Sequence, residues 1–123
     1  TQSATGLAFA AFMDNDNVRK AVDEELAIRL TSSNPDTGHF KTRVAEARGH
    51  GMARSIGTAP SNRHHITVNA FSAPVFDANG QMVLALSTTC AADRMGSSWY
   101  GEVPSALLRA SRRLSSMLGA KAD

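Results

Sequence analysis

Residues 68–89, VNAFSAPVFDANGQMVLALSTT, decide the fold, because two strand-like runs flank the pair Asn79-Gly80. An Asn-Gly pair in this setting is the strongest short-range signal for a two-residue hairpin turn with both central residues at positive φ. With Ala78 facing Gln81 across that turn, Ser72 faces Ser87, Ala70 faces Thr89, Ala73 faces Leu86 and Val75 faces Leu84. One face of the hairpin is then bulky, with Phe71, Val75, Leu84 and Leu86, which is what a sheet presents to a packed helix. The other face carries Val68, Ala70, Ser72, Ala85, Ser87 and Thr89. Small residues with a few hydroxyls suit the floor of a ligand pocket.

Outward from the hairpin, residues 52–56 predict a short strand and GTAPSNRHH, residues 57–65, a polar loop. Before them, HFKTRVAEARG reads as a helix that Thr37 or Asp36 can cap and that Gly49 or Gly51 stops. The turn-rich TSSNPDTG separates it from VRKAVDEELAIRL, where Val18, Val22, Leu26 and Leu30 recur at four-residue spacing as in an amphipathic surface helix. At the start, Ser3-Ala4-Thr5-Gly6 precedes LAFAAFM. This run is apolar nearly all round, so it predicts a buried helix with a Ser or Thr cap, whose N-terminus offers unpaired N–H groups and positive dipole to an anion. Beyond the hairpin, CAADRMGSSWYGEV is irregular. Pro104 then fits the first turn of a helix in which Leu107, Leu108, Leu114 and Leu118 form an apolar stripe ending at Gly119. That helix is expected to cover the bulky face of the hairpin.

Composition bounds the function. With 123 residues, 42% hydrophobic and 20% charged, the chain reads as one globular domain. No segment approaches the ~20 apolar residues of a spanning helix, and the first residues lack the basic start of a secretory signal, which predicts a cytoplasmic address without membrane partners. The chain begins at Thr1 without methionine, as a processed or truncated piece does. Cys90 is the sole cysteine, so neither an internal disulfide nor a cysteine zinc cluster is available. The net charge is +2, and Arg109, Arg112 and Arg113 read as a solvated or oligomer-facing side of the last helix. A nucleic-acid surface needs a basic stripe with groove-entering or aromatic partners, and none is present.

Catalytic patterns fail on spacing. His39, His50, His64 and His65 form no helical i, i+4 pair and have no carboxylate at ligand spacing, so no metal or cofactor is expected. Ser72 and Ser87 lie on strands rather than on a Gly-x-Ser-x-Gly elbow, and Asp23, Glu24 and Glu25 share a surface helix. No enzyme is predicted. Trp99-Tyr100 reads as a pocket lid or a local packing cluster.

The order of SATGLAFAAF, VAEARGHGM, VNAFSAPVFDANGQMVLALSTT, ADR and a helix closing in SSMLG resembles, nearly end to end, the effector-binding domain of IclR-type (isocitrate-lyase-regulator-type) transcription factors. NAFSAPVFDANGQMVLALS is the strongest piece, similar to that family's strand, Asp-x-x-Gly turn and strand. The resemblance implies an α+β fold, a GAF-like antiparallel sheet flanked by helices, that binds a small, often carboxylate-bearing effector. DNA binding by such regulators belongs to a separate winged helix-turn-helix domain, which is expected to lie outside this chain. The family's first effector-domain strands and linker helix are also expected to lie outside it, so residues 1–123 form an effector-binding domain incomplete at its N-terminal side.

The resemblance places backbone donors of Ala4, Thr5 and Gly6 at the helix start and hydroxyls of Ser87 and Thr89 on the second hairpin strand, with Val68, Ala70 and Ser72 lining the pocket. Ser55 stands where members that bind small keto acids carry an acid, and Ala70 where they carry a cysteine or another polarisable residue. The loop before the hairpin also looks longer than usual. The less polar pocket implies a larger or more apolar effector, such as an aromatic acid. IclR-type regulators work as dimers or tetramers, so a homo-oligomer is expected. The competing readings are a dimerisation or scaffold domain without ligand and, behind it, a small hydrolase.

Overall fold

The computed structural model describes residues 3–13, 20, 24, 37–58 and 67–121. In chain order the elements are α1 (Ala4–Phe12), α2 (Thr37–His50), β1 (Ala53–Thr58), β2 (Val68–Phe76), β3 (Met82–Ala91) and α3 (Glu102–Met117). The three strands form one antiparallel sheet in the order β1-β2-β3, which makes the fold α+β. The helix predicted over residues 18–30 lies outside the described residues apart from Lys20 and Glu24, both helical and exposed. Most of the loop over 57–65 lies outside them too.

The hairpin has the predicted partners. Ala70 pairs with Thr89, Ser72 with Ser87, Ala73 with Leu86 and Val75 with Leu84. Its turn differs from the prediction. The loop is three residues, Ala78-Asn79-Gly80, because Asp77 N–H donates to the Gln81 carbonyl at 2.9 Å and Gly80 N–H to the Asp77 carbonyl at 3.0 Å. Asp77 Oδ1 also accepts from the N–H groups of Asn79 at 2.9 Å and Gln81 at 3.1 Å, which stabilises this longer turn, and Gly80 supplies the positive φ of 76°. A compensating bulge follows. Phe76 pairs with Met82 and Val75 with Leu84, so Val83 is the additional residue that restores the register.

The sheet is packed on both faces. On the face of Ser72 and Ser87, Leu7 and Ala8 of α1, Phe40 and Ala47 of α2, Ala53 and Met82 form a buried cluster. On the other face, Met52, Phe71, Ala73 and Met95 form a second cluster against Trp99, Leu107 and Leu108. The last helix therefore does cover the bulky face, but it lies mainly over β2. Leu84 remains 42% exposed, and the buried residues of α3 are Pro104, Ser111 and Ser115, with Leu107 and Leu108 partly buried against the core. Small side chains let helix and sheet approach, while Leu118 at the end of the stripe is 48% exposed.

Local chemistry sets the element ends. Ser3 caps α1, its Oγ accepting from Gly6 N–H at 3.0 Å, as the sequence predicts. Helix α2 starts at Thr37 itself and stops at Gly51, whose φ of 76° is the left-handed exit glycine permits. Strand β1 then begins one residue later than predicted and runs to Thr58.

Candidate functional site

The hairpin parity places rows of small residues across one sheet face. Ala53, Ser72 and Ser87 form one row through β1, β2 and β3, and Ser55, Ala70 and Thr89 form the next. Helix α1 crosses this face in a definite direction. Its last residue, Phe12, meets Phe76 edge-on near the hairpin turn with ring centroids 6.3 Å apart, whereas Thr5 in its first turn reaches Ser87 in mid-strand. The helix thus covers the turn half of the hairpin, and its N-terminus opens toward Ser55, Val68, Ala70 and Thr89.

Three hydroxyls join helix to sheet at that boundary. Thr5 Oγ1 lies 2.6 Å from Ser87 Oγ, and Ser87 Oγ donates to Ser72 Oγ at 2.9 Å. Because a serine hydroxyl has one proton, Thr5 is the donor in the first bond when Ser87 donates in the second. Ser72 is fully buried while Thr5 and Ser87 are exposed, so the relay runs from the surface into the core. The N–H of Gly6 is occupied by the Ser3 cap, but those of Ala4 and Thr5 lie in the first turn, beyond the reach of the intrahelical ladder. Ala4 is buried, Val68 and Ala70 are half-buried, Ser55 is buried beside Ala70, and Thr89 is exposed. An oxyanion in front of these groups meets two backbone donors and a helix dipole that favours it by about 0.3–1 kcal/mol, and the Thr5 hydroxyl donates to it by turning out of its bond to Ser87.

The other candidates take ordinary structural places. Trp99 stacks on His50 and meets Phe71 edge-on, which makes it a packing cluster, while Tyr100 is 83% exposed. Arg109, Arg112 and Arg113 are exposed along α3. His64 and His65 lie outside the described residues. Among the described residues no group of three or more His, Cys, Asp or Glu is placed to hold a metal ion, and no helix is long and apolar enough to cross a membrane.

The family described as "bacterial transcriptional regulator IclR C-terminal" matches residues 1–116. This chain belongs to the IclR C-terminal family. Among solved structures it is similar to HmgR of Pseudomonas aeruginosa, at 28% identity and a TM-score of 0.74, covering 99% of this chain and 46% of that one. A protein described as an ICLR transcriptional regulator from Silicibacter sp. TM1040 matches at 27% identity and a TM-score of 0.73, again covering 99% of this chain and 46% of the other. The repressor BlcR of Agobacterium tumefaciens shares the fold at 16% identity and a TM-score of 0.55, over 69% of this chain and 32% of its own. This chain spans less than half the length of those regulators. No curated protein matches it.

Within this IclR C-terminal domain, sequence reasoning missed the polar side chains that hold the site's frame. Asn69, 4% exposed, accepts from Gly57 N–H at 3.0 Å and donates to the Met95 carbonyl at 2.7 Å, tying the irregular end of β1 to the segment after β3. Arg48 Nε donates to the Ala11 carbonyl at 3.1 Å, satisfying one of the C-terminal acceptors of α1. Neither role has a local sequence signal, since each partner is at least a dozen residues away.

Proposed function

We propose that this chain is the ligand-sensing domain of an IclR-type transcriptional regulator and that it binds a carboxylate-bearing, aromatic effector between the α1 N-terminus and the hydroxylated sheet face. The observation that carries this reading is the relay from Thr5 through Ser87 to Ser72, set beside a helix N-terminus and a half-open row of small residues. The effector carboxylate faces the Ala4 and Thr5 amides and the Thr5 and Ser87 hydroxyls. Ser55, Val68, Ala70 and Thr89 border its apolar part. Ser55 and Ala70 add no charge and little volume, which favours a larger and less polar acid than a two- or three-carbon keto acid. Effector binding acts by differential affinity for two arrangements of the parent regulator, whose DNA contacts are made by another domain.

Native mass spectrometry of the purified chain tests for a bound small molecule, and calorimetry with a panel of aromatic carboxylates measures affinity. Ser87→Leu fills the space in front of Thr5 and is expected to abolish binding while leaving the circular dichroism spectrum unchanged. Unchanged affinity in the folded variant rejects the pocket, and an empty chain that binds none of the panel favours the scaffold alternative.

A further inference from the structure

A separate cleft of about 380 Å³ lies where α2 meets β1, lined among the described residues by Thr42, Arg43, Glu46, Arg54 and Ile56. In register it is adjacent to the hydroxyl relay, since Arg54 follows Ala53, the partner of Ser72, and strand alternation is what separates the two. Thr42, Arg43 and Glu46 come from one stretch of α2, and Arg54 and Ile56 alternate along β1, pointing away from the face that carries Ser55. Strand β1 is an edge of the sheet among the described residues, and α2 forms the other wall of the cleft.

Arg54 is held in an unusual way for an arginine at an edge. Its Nη1 donates to the Ser97 carbonyl at 2.6 Å, and its Cζ lies 4.3 Å from the centroid of the Trp99 ring. The imidazole of His50 stacks on the same ring at 4.1 Å with planes 6° apart. A stacked, hydrogen-bonded guanidinium has its plane fixed before any ligand arrives, and its remaining N–H donors form a fork that matches a carboxylate. Arg43 adds a second cation from the other wall, and Glu46 an anion, so the described lining residues carry a formal charge of about +1. Ile56, 43% exposed, adds an apolar wall.

We propose that this cleft is a second ligand site, distinct from the pocket at α1, that binds an organic monocarboxylate. The fixed fork of Arg54 takes the carboxylate, Arg43 adds positive charge from the α2 wall, and the hydrocarbon part lies against Ile56. The planar fork favours a carboxylate, and the apolar wall favours an organic acid over inorganic phosphate. A volume of about 380 Å³ suits a compact acid of one ring.

Amide chemical-shift titration with sodium benzoate, and in parallel with inorganic phosphate, tests the site on the whole chain. Benzoate is expected to shift Arg43, Glu46, Arg54 and Ile56 together, and to do so equally in Ser87→Leu, which separates this cleft from the α1 pocket. Arg54→Lys keeps the charge but loses the planar fork and is expected to weaken benzoate by about tenfold, the scale of one charge-assisted hydrogen bond. Arg43→Gln, outside the Trp99 stack, serves as an independent check with a similar loss. Glu46→Gln is expected to tighten binding by about two- to fivefold, an effect that a merely structural role does not produce. The proposal is overturned by benzoate shifts absent from these four amides, by undiminished binding in both arginine variants, or by phosphate binding as tightly as benzoate.

Discussion

Asn69 shows how one side chain sets local stability. The glycine at position 57, with φ of 65°, lies where the β1–β2 register shifts, and its N–H bonds to Asn69 Oδ1 rather than to a strand carbonyl. The same amide donates to the Met95 carbonyl inside the sheet's second core. Asn69→Ala removes both partners at once and is expected to cost about 2 kcal/mol in urea unfolding, since a buried carbonyl left unpaired loses its full solvation. A change under about 0.5 kcal/mol, the range of an ordinary surface substitution, contradicts this account. Residues differ in how much of this is legible. Ser72 and Ser87 could be paired from strand alternation alone, whereas the demand on Asn69 is set by Gly57 and Met95, which no periodicity links to it.

At the scale of elements, the hairpin register was legible although its turn was not. Asn79-Gly80 signals a two-residue turn, but Asp77 organises a longer loop and Val83 absorbs the extra residue as a bulge, so the two departures cancel before Leu84. Beyond Ser72, β2 has no β1 residue beside it. Phe76 N–H donates to Ser115 Oγ at 2.9 Å, and Ser115 Oγ donates to the Ser111 carbonyl at 2.9 Å, so α3 completes the hydrogen bonding of the hairpin tip. Ser115→Ala is expected to destabilise the fold by about 1 kcal/mol, with Ser116→Ala, on the exposed side, within about 0.5 kcal/mol as the control. Equal effects of the two substitutions in denaturant unfolding contradict the role of Ser115. The serine face of α3 was not legible because the helix advertises its leucines, of which Leu107 and Leu108 do pack on β2, while the bond from Phe76 N–H to Ser115 has no local signal. The cap at Ser3 was legible because both partners are local.

For the whole molecule, the informative surface is the outer edge of β3. This ten-residue strand, MVLALSTTCA, has no charge and no proline, and among the described residues only β2 pairs with it. Val83 is 47% exposed and Leu84 42%, because α3 lies mainly over β2 and leaves the flank of β3 bare. An uncharged, proline-free edge with unpaired backbone groups is a template for a further strand, and natural proteins ordinarily blunt such edges with lysine or proline. The chain alone is therefore expected to self-associate with increasing concentration in sedimentation velocity. Leu84→Lys places a charge beside that edge at a half-exposed position and is expected to shift the population toward monomer while leaving the circular dichroism spectrum intact. Met117, 74% exposed at the far end of α3, provides the contrast. Met117→Lys removes exposed apolar surface without touching the strand edge. If association instead follows the helix end, Met117→Lys abolishes it and Leu84→Lys does not, and a wild-type chain that stays monomeric at every concentration rejects the edge as the driving surface.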